Sequence, residues 1–261
     1  MTSASGNHLD LSGASRRWRP APAIRLSLLL HAGAVVALLA QPALWPWLLG
    51  AVACNHLVLS AAVLWPKGQL LGPNLTRLPA SAARRNEVAL TFDDGPDPEV
   101  TPQVLDLLDR YQARASFFCI GEKAAAFPDV VQDIVRRGHS VENHSHRHPH
   151  AFSFFGTGRL RHEVQTAQAA LAGIAGRAPL FFRAPAGFRS PMLDPILARG
   201  GLHYVSWTRR GLDGAKSDPV AVLRRLTTGL AAGDVLLLHD GAREPVVLTV
   251  LPALLERLAE R

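Results

Sequence analysis

The chain has only two cysteines among its 261 residues, Cys54 and Cys119, and they lie in different segments. Two thiols cannot form a four-cysteine zinc site, and they exclude a disulfide-dense scaffold. Charged residues are also scarce, at 19%, but an apolar fraction of 48% excludes a disordered chain. The length is long for one domain and short for two, and it is enough to bury a sizeable core.

Acidic residues are almost absent from the N-terminal third. Residues 1–86 contain eight Lys or Arg residues and one acid, Asp10, which accounts for the whole formal net charge of +7. Residues 87–261 contain 20 basic and 20 acidic residues, so this part has no net charge. A nucleic-acid-binding domain would itself carry the basic excess, and we therefore predict no nucleic-acid partner.

No charged residue occurs between Leu26 and Pro66, a stretch of 41 residues. Pro42 separates two largely apolar segments, Ile24–Ala40 and Ala43–Trp65, and a membrane-spanning helix needs about 20 apolar residues. The pattern predicts a membrane-anchoring segment over residues 24–66, with two helices or one. The alternatives are a cleaved signal peptide, whose basic region would be the arginines before the stretch, and a buried hairpin of a soluble protein.

The basic residues on either side of this stretch bear on its orientation. Four precede it, four follow it, and none lies at its middle. The positive-inside rule then favours a hairpin in the inner (cytoplasmic) membrane with both ends on the cytoplasmic side, whereas a single span would export the rest of the chain. The side of the membrane stays open at this point. The polar residues within the spans, His31, Asn55 and His56, are interpreted as helix-packing or interfacial residues.

Residues 67–86 are rich in Pro, Gly, Asn and basic residues, which is typical of a linker, and after them the pattern alternates between strand and helix. Such alternation predicts an α/β fold with parallel strands and helices packed outside them. The predicted strands are Glu87–Asp94, Ala115–Gly121, His139–His144, Leu180–Ala184, Leu202–Thr208 and Asp234–Asp240. The predicted helices are Pro98–Gln112, Glu122–Arg137, Arg159–Ala175, Pro191–Arg199, Ser217–Ala232 and Val246–Glu260.

Reactive residues follow the carboxyl ends of these strands. Functional sites of α/β folds are built at that edge, so we expect the residues there to meet. They are Asp93 and Asp94 at the end of the first strand, His144 at the end of the third with His148 shortly after it, Arg183 at the end of the fourth, Trp207 at the end of the fifth with Asp213 shortly after it, and His239 at the end of the sixth.

The histidines of the third strand end have a spacing suited to a metal ion. His144 and His148 are four residues apart, and on a helical turn they would share one face. With an oxygen ligand from Asp94 they would make a site for one divalent ion, zinc or else cobalt, manganese or nickel. His146 and His150 are expected to face away. Without the aspartate, the same run would equally suit a solvated loop.

Asp93 and Asp94 are adjacent, and adjacent side chains diverge on a strand. Both can reach one site only if the strand ends there and the chain turns, and Gly95-Pro96 supplies a turn. One acid could then bind the metal while the other acts as a base. The alternative is an ordinary Asp-Gly turn.

Four motifs together resemble those of the polysaccharide deacetylases with the NodB homology domain, carbohydrate esterase family 4. They are T-F-D-D-G-P at 91–96, H-S-x-x-H at 144–148, R-A-P-A-G-F at 183–188 and L-L-H at 237–239, and they stand in the order and spacing of that family. The resemblance covers residues 87–261 and implies a distorted (β/α) barrel of about seven strands, one more than the six recognised. The predicted organisation is a basic tail at 1–23, the anchoring segment at 24–66, the linker at 67–86 and the deacetylase domain at 87–261.

The resemblance also implies roles for individual residues. Asp93 is the implied catalytic base, His239 the general acid, and Arg183 the residue that holds Asp93. Asp213 would partner either His239 or Arg183. The implied metal ligands are Asp94, His144 and His148, and the implied substrate-binding residues are Pro185, Gly187, Phe188, Trp207 and Leu237, with the leucine lining a pocket for the acyl methyl group. Residues 207–214 depart from the family, which usually carries an Asp-rich motif ending in Trp here.

The implied activity is metal-dependent hydrolysis of an N-acyl group, acetyl or else formyl, from an amino sugar. With the anchoring segment, the expected substrate is an envelope glycan or its lipid-linked precursor. One alternative is an esterase that removes O-acetyl groups from polysaccharide. Another is an inactive membrane-tethered carbohydrate-binding module, which could lose Asp93 or His239, whereas this chain keeps both. The sequence makes no prediction of the oligomeric state.

Overall fold

The computed structural model describes residues 14–214, 218–241 and 245–260. Most of the predicted basic tail, the first residue of the predicted helix Ser217–Ala232 and Arg261 lie outside these residues. The strands of the described part form one parallel sheet in the order β5-β4-β3-β2-β1-β7-β6. They are β1 (Ala89–Asp93), β2 (Ala115–Cys119), β3 (Ser140–Asn143), β4 (Phe181–Phe182), β5 (His203–Tyr204), β6 (Arg209–Arg210) and β7 (Val235–His239).

The sheet curls because its two edge strands are neighbours in the sequence. Only residues 205–208 separate β5 from β6, so the two edges must lie close together. Leu75 lies beside this connection and exchanges backbone hydrogen bonds with Tyr204 and Ser206, both at 3.0 Å. The result is a half-barrel of seven parallel strands, which confirms the predicted fold class.

The seventh strand, β6, is the one that the sequence did not reveal. It consists of Arg209 and Arg210 alone, and they pair in register with Leu236 and Leu237 of β7. Two consecutive arginines carry none of the apolar or β-branched signal by which strands are recognised.

Helices cover the sheet, and one predicted helix is divided. The expected helix Glu122–Arg137 breaks at Phe127, whose φ of −128° is not helical, and a new helix begins at Pro128. Proline has no N–H to continue a helix but suits the first turn of one. The helices of the domain are α3 (Ala80–Arg84), α4 (Val100–Arg110), α5 (Gly121–Ala126), α6 (Pro128–Arg136), α7 (Thr157–Ala175), α8 (Asp194–Arg199), α9 (Pro219–Thr227) and α10 (Val247–Ala259).

The central strands are buried on both faces. Phe92 of β1 stacks on Phe117 of β2 with ring centroids 5.0 Å apart, and both side chains are fully buried. Leu238 of β7 joins them in a core that also receives the apolar faces of α4 and α10. This packed centre fixes the ends of β1 and β7, where Asp93 and His239 lie.

The N-terminal helices α1 (Pro22–Ala40) and α2 (Trp45–Val63) form a hairpin that is broken at Pro42, as predicted. Both helices are long and apolar enough to cross a membrane. Only 6% of each apolar segment is buried, so neither is a core helix of the domain. Polar residues join them: His31 Nε2 lies 3.2 Å from His56 Nε2, and Asn55 donates to Ser27 Oγ at 2.9 Å. These contacts agree with the helix-packing interpretation.

The segment predicted as a linker lies against the domain over much of its length. Arg189 donates to the carbonyls of Gly72 and Pro73 at 3.0 and 2.8 Å, and Arg77 forms a 2.8 Å ion pair with the buried Asp234. Leu71 is buried. Its composition predicts a linker, and the structure adds that residues 71–78 of this segment contact the half-barrel.

Candidate active site

The chain turns sharply where β1 ends. Asp93 is the last residue of β1 and pairs in register with His239 of β7, and Asp94 follows with a φ of 72°. Adjacent side chains would diverge on a strand, but the left-handed conformation at Asp94 turns the chain, and both carboxylates line the same cleft. A Cβ atom on Gly95 would collide with the Asp240 carboxylate, so this close approach requires glycine.

Asp94, His144 and His148 converge as the metal-ligand prediction expects. One ligand atom of each lies within 4.8 Å of the others, with Asp94 Oδ1 3.4 Å from His144 Nε2 and 3.2 Å from His148 Nε2. Asp94 Oδ1 is buried without a hydrogen-bond partner in the described structure. Two imidazole nitrogens and one orphaned carboxylate oxygen are a donor set that fits a zinc-like divalent ion with positions left open.

The two histidines reach this cluster from a turn and not from a helix. Ser145 and His148 have positive φ values of 65° and 52°, and Ser145 Oγ accepts the His148 N–H at 3.0 Å. Glu163 of α7 accepts the N–H groups of His146 and Arg147 at 3.0 and 2.9 Å. The helical-turn interpretation is therefore wrong, although the spacing of four still brings the rings together. The role of Glu163 gave no sequence signal, because it comes from a distant helix.

Hydrogen bonding, burial and neighbouring charges determine the tautomer of His144 and the pKa values of both imidazoles. His144 Nδ1 donates to the Arg183 carbonyl at 2.8 Å, which leaves Nε2 facing Asp94. Burial opposes the protonation of His144, but the charges of Asp93 and Asp94 raise its pKa. Burial and then the charge of His144 lower the pKa of His148 to about 4. Burial would raise the pKa of Asp94, but the close approach and charge of His144, whose Nε2 lies 3.4 Å from Oδ1, lower it below its ordinary value.

Asp93 is held by Arg183. Arg183 Nη1 donates to Asp93 Oδ1 at 2.6 Å and to Thr91 Oγ1 at 2.9 Å, and Nη2 donates to the Ser206 carbonyl at 3.0 Å. The guanidinium lies 4.0 Å from the centroid of the Phe118 ring, and the side chain is fully buried. The predicted contact is present, and Arg183 touches Asp93 through a single carboxylate oxygen.

His239 is paired with Asp213, one of the two partners left open by the sequence. His239 Nδ1 donates to Asp213 Oδ1 at 2.9 Å, and the His239 backbone N–H donates to Oδ2 at 2.8 Å. Burial lowers the pKa of His239, but the hydrogen bond and charge of Asp213 outweigh it and raise the pKa. The site therefore favours a protonated imidazole beside the metal-ligand cluster.

A cleft of about 280 Å³ joins these groups. Asp93, Asp94, His144, His148 and His239 all line it, together with three of the predicted substrate residues, Gly187, Trp207 and Leu237. Pro185 and Phe188 are not among the lining residues. Further lining residues that the sequence did not single out are His150, Ala186, Arg210, Leu212 and Gly214.

Two expectations about the cleft are corrected. His150 was expected to face away, but it lines the cleft, because residues 144–150 do not follow helical periodicity. Phe188 was expected to bind substrate, but it is not among the residues that line the cleft, and its N–H group, like that of Gly187, donates to a carbonyl within a short 3₁₀ turn. Gly187 instead allows close contact with the Trp207 ring, which a Cβ atom would overlap.

Comparison with known proteins places this chain in a family. A model of the polysaccharide deacetylase family matches residues 80–205. A peptidoglycan-N-acetylglucosamine deacetylase of Bacillus cereus is 33% identical over 159 residues, which cover 60% of this chain and 74% of the relative. A chitooligosaccharide deacetylase of a Bradyrhizobium species is 35% identical over 173 residues, covering 63% and 78% of the two chains.

A solved structure agrees with these relatives. The family 4 carbohydrate esterase from Streptomyces lividans, solved in complex with acetate, superposes with a TM-score of 0.61 at 34% identity. The alignment covers 66% of this chain and 88% of that chain. The chain belongs to the polysaccharide deacetylase family, whose members are metal-dependent enzymes that act on N-acetyl amino sugars.

Proposed function

We propose that this protein is a membrane-anchored hydrolase that removes an N-acetyl group from an amino sugar of an envelope glycan or of its lipid-linked precursor. The observation that carries the proposal is the meeting, in one cleft, of a buried aspartate outside the ligand cluster, a three-residue ligand cluster and a protonation-prone histidine. The buried aspartate is Asp93, and the histidine is His239. Removal of an amide-bound acyl group needs a base, an electrophile and an acid within reach of one bond.

Asp93 is the proposed general base. Arg183 occupies one of its oxygens at 2.6 Å and fixes the carboxylate plane. Asp93 lines the cleft, and its other oxygen, 3.8 Å from His144 Nε2, is the proposed acceptor of a proton from the attacking water. A general base is effective only within hydrogen-bond reach of the proton that it removes. By fixing the Asp93 carboxylate, Arg183 would keep the base within that reach.

Asp94, His144 and His148 are the proposed ligands of one divalent ion, and zinc suits this donor set. When bound, such an ion would polarise the acyl carbonyl and lower the pKa of water at the site. The chain prepares the ligands itself. The hydrogen bond from His144 Nδ1 to the Arg183 carbonyl leaves Nε2 as the nitrogen that offers a lone pair.

His239 is the proposed general acid. An amine cannot leave as an anion at neutral pH, so the sugar nitrogen must receive a proton as the C–N bond breaks. Asp213 raises the pKa of His239 and engages Nδ1, which leaves Nε2 to deliver that proton. Leu237, on the same strand two residues earlier, is the proposed wall of the acyl-methyl pocket.

The proposed membrane anchor would hold the catalytic domain close to substrates that are themselves attached to the membrane. We propose that α1 and α2 form a hairpin in the cytoplasmic membrane and that both of its ends return to the catalytic domain. Arg16, before the hairpin, donates to the Leu202 carbonyl at 2.7 Å, and Asn74, after it, donates to the Pro66 carbonyl at 2.9 Å beside the domain. The basic residues at both ends favour the cytoplasmic side for the catalytic domain, and there it would act on lipid-linked precursors and not on exported polymer.

Incubation of the purified full-length chain with lipid-linked and polymeric N-acetylated sugars, followed by mass spectrometry, tests the substrate. Loss of an acetyl group from an amino sugar is the expected result. Parallel incubation with an O-acetylated xylan and with an N-formylated sugar separates the amide from the ester reaction and acetyl from formyl. Turnover of the ester alone would replace the proposal by an esterase.

A further inference from the structure

Arg210 is a cleft residue that the proposed reaction does not use. It follows Arg209 on β6, and alternation along a strand sends the two side chains to opposite sides. Arg209 belongs to the fold, because its Nε donates to Asp234 at 2.6 Å and its Nη atoms donate to two carbonyls just after α9. Arg210 instead lines the cleft that contains the ligand cluster.

The guanidinium of Arg210 lies over an aromatic ring, but one of its buried N–H donors has no acceptor in the described part of the chain. It lies 5.3 Å from the centroid of the Trp207 ring, an arrangement in which the ring face attracts a cation. Its Nε is buried and has no hydrogen-bond partner within the described ranges. A buried donor without an acceptor is costly, and an acceptor brought by a ligand would remove that cost.

The acids of the cleft are already engaged elsewhere. Asp93 is bound by Arg183, and Asp213, which is close by but does not line the cleft, is bound by His239. Asp94 faces the two imidazoles of the ligand cluster. Among the residues that the structure describes, no carboxylate in the cleft is left to balance Arg210. Its positive charge is therefore available to a ligand.

We propose that Arg210, which lies over the Trp207 ring, forms a subsite for an anionic group of the substrate, so that the enzyme selects amino sugars bearing a phosphate or a carboxylate next to the acylated position. The planar fork of arginine binds both groups through paired hydrogen bonds. A lipid-linked saccharide carries a phosphate on its anomeric carbon, and an acidic polymer carries a carboxylate. This inference rests on the proposed function, because it names the class of amino sugar that the same cleft accepts.

Three disaccharides test the subsite: neutral di-N-acetylchitobiose, its anomeric phosphate, and a disaccharide of N-acetylglucosamine with glucuronic acid. The full-length, zinc-loaded chain should show a higher kcat/KM for an anionic substrate than for the neutral one. The substitution Arg210→Gln should reduce that ratio roughly ten- to hundredfold, the range of a charge-assisted hydrogen bond pair. Arg210→Lys, which keeps the charge, should retain part of the preference.

A matched control and a second measurement make the result decisive. Arg110→Gln removes the same charge from the exposed C-terminal end of α4 and should leave the ratio as in the wild type.

Calorimetric binding of the same disaccharides to the chelator-treated full chain gives a readout without turnover. A preference that depends on Arg210 in binding, without turnover of any disaccharide, would refute the proposed function and keep the subsite. Equal affinity of the wild type for all three, or an unchanged ratio in Arg210→Gln, would refute the subsite. Preference for the phosphate alone would assign the lipid-linked source.

Discussion

The Asp213 carboxylate accepts two hydrogen bonds from His239, one from the imidazole Nδ1 at 2.9 Å and one from the backbone N–H at 2.8 Å. The contact fixes the ring and the tautomer together, because an engaged Nδ1 leaves Nε2 as the nitrogen that faces a substrate. It also raises the pKa of His239 against the opposing effect of burial. The proposed general acid is thus prepared by a residue that lies 26 positions earlier in the chain.

The substitution Asp213→Asn should move the alkaline limb of the pH profile. A general acid must be protonated, so activity falls as the pH rises through the pKa of His239. Without the Asp213 charge that pKa drops, and the decline in kcat/KM should begin at lower pH. The exposed Asp129→Asn removes a carboxylate elsewhere and should leave the profile in place. An alkaline limb that did not move in Asp213→Asn would remove His239 from the acid role.

Replacing His144 and His148 together by alanine should abolish metal binding. The two substitutions leave Asp94 as the last member of the cluster, and one carboxylate does not hold a divalent ion tightly. His150→Ala is the matched control, because this histidine lines the same cleft but is not in the cluster. Elemental analysis should find about one zinc per wild-type chain and per His150→Ala chain. Full metal retention by the double variant would show that the ion binds elsewhere.

Two truncations should differ in stability. A chain cut near Arg84 keeps every proposed catalytic residue and should be soluble and active. A chain beginning at Pro66 also keeps the buried Leu71 and the ion pair of Arg77 with Asp234. Full burial of one leucine is worth about 1.5–3 kcal/mol, so the longer domain should unfold at higher denaturant concentration. Identical midpoints would mean that residues 66–84 do not stabilise the domain.

The sidedness of the membrane hairpin has its own test. The basic residues at both ends of residues 26–66 predict a cytoplasmic catalytic domain. A reporter that is active only outside the cytoplasm, fused after Arg261, should be silent. The same reporter placed in the connection at Gln41 should be active, since the hairpin would expose that loop. Activity of the C-terminal fusion would refute the hairpin and favour an exported domain that acts on polymer.

Much of the site was predictable because chemistry concentrates at strand ends. Asp93, Asp94 and His239 follow strongly apolar strands, so their meeting follows from parallel pairing. The spacing of His144 and His148 was enough to pair them, although the turn between them relies on Ser145 and on Glu163, which is contributed by another helix. Long-range supports of this kind leave no local pattern in the sequence.

The missed features share a physical cause. The strand β6 is defined by backbone pairing with β7 and not by the character of Arg209 and Arg210. The segment 71–78 looks like a linker by composition, but its binding depends on Arg189 and Asp234, which lie far away in the chain. His150 reaches the cleft because the chain around it is irregular. In each case tertiary contacts outweigh local sequence preference.

Acetate release by the purified, zinc-loaded chain and by its Asp93→Asn variant tests the central claim most directly. Wild-type protein should release acetate from an N-acetylated amino sugar. Asp93→Asn should keep the zinc, since Asp93 is not a proposed ligand, and should lose roughly 10²–10⁴-fold in kcat, the range of general-base catalysis. An Asp93→Asn protein as active as the wild type, or a folded wild-type protein that binds the sugar without releasing acetate, would contradict the account.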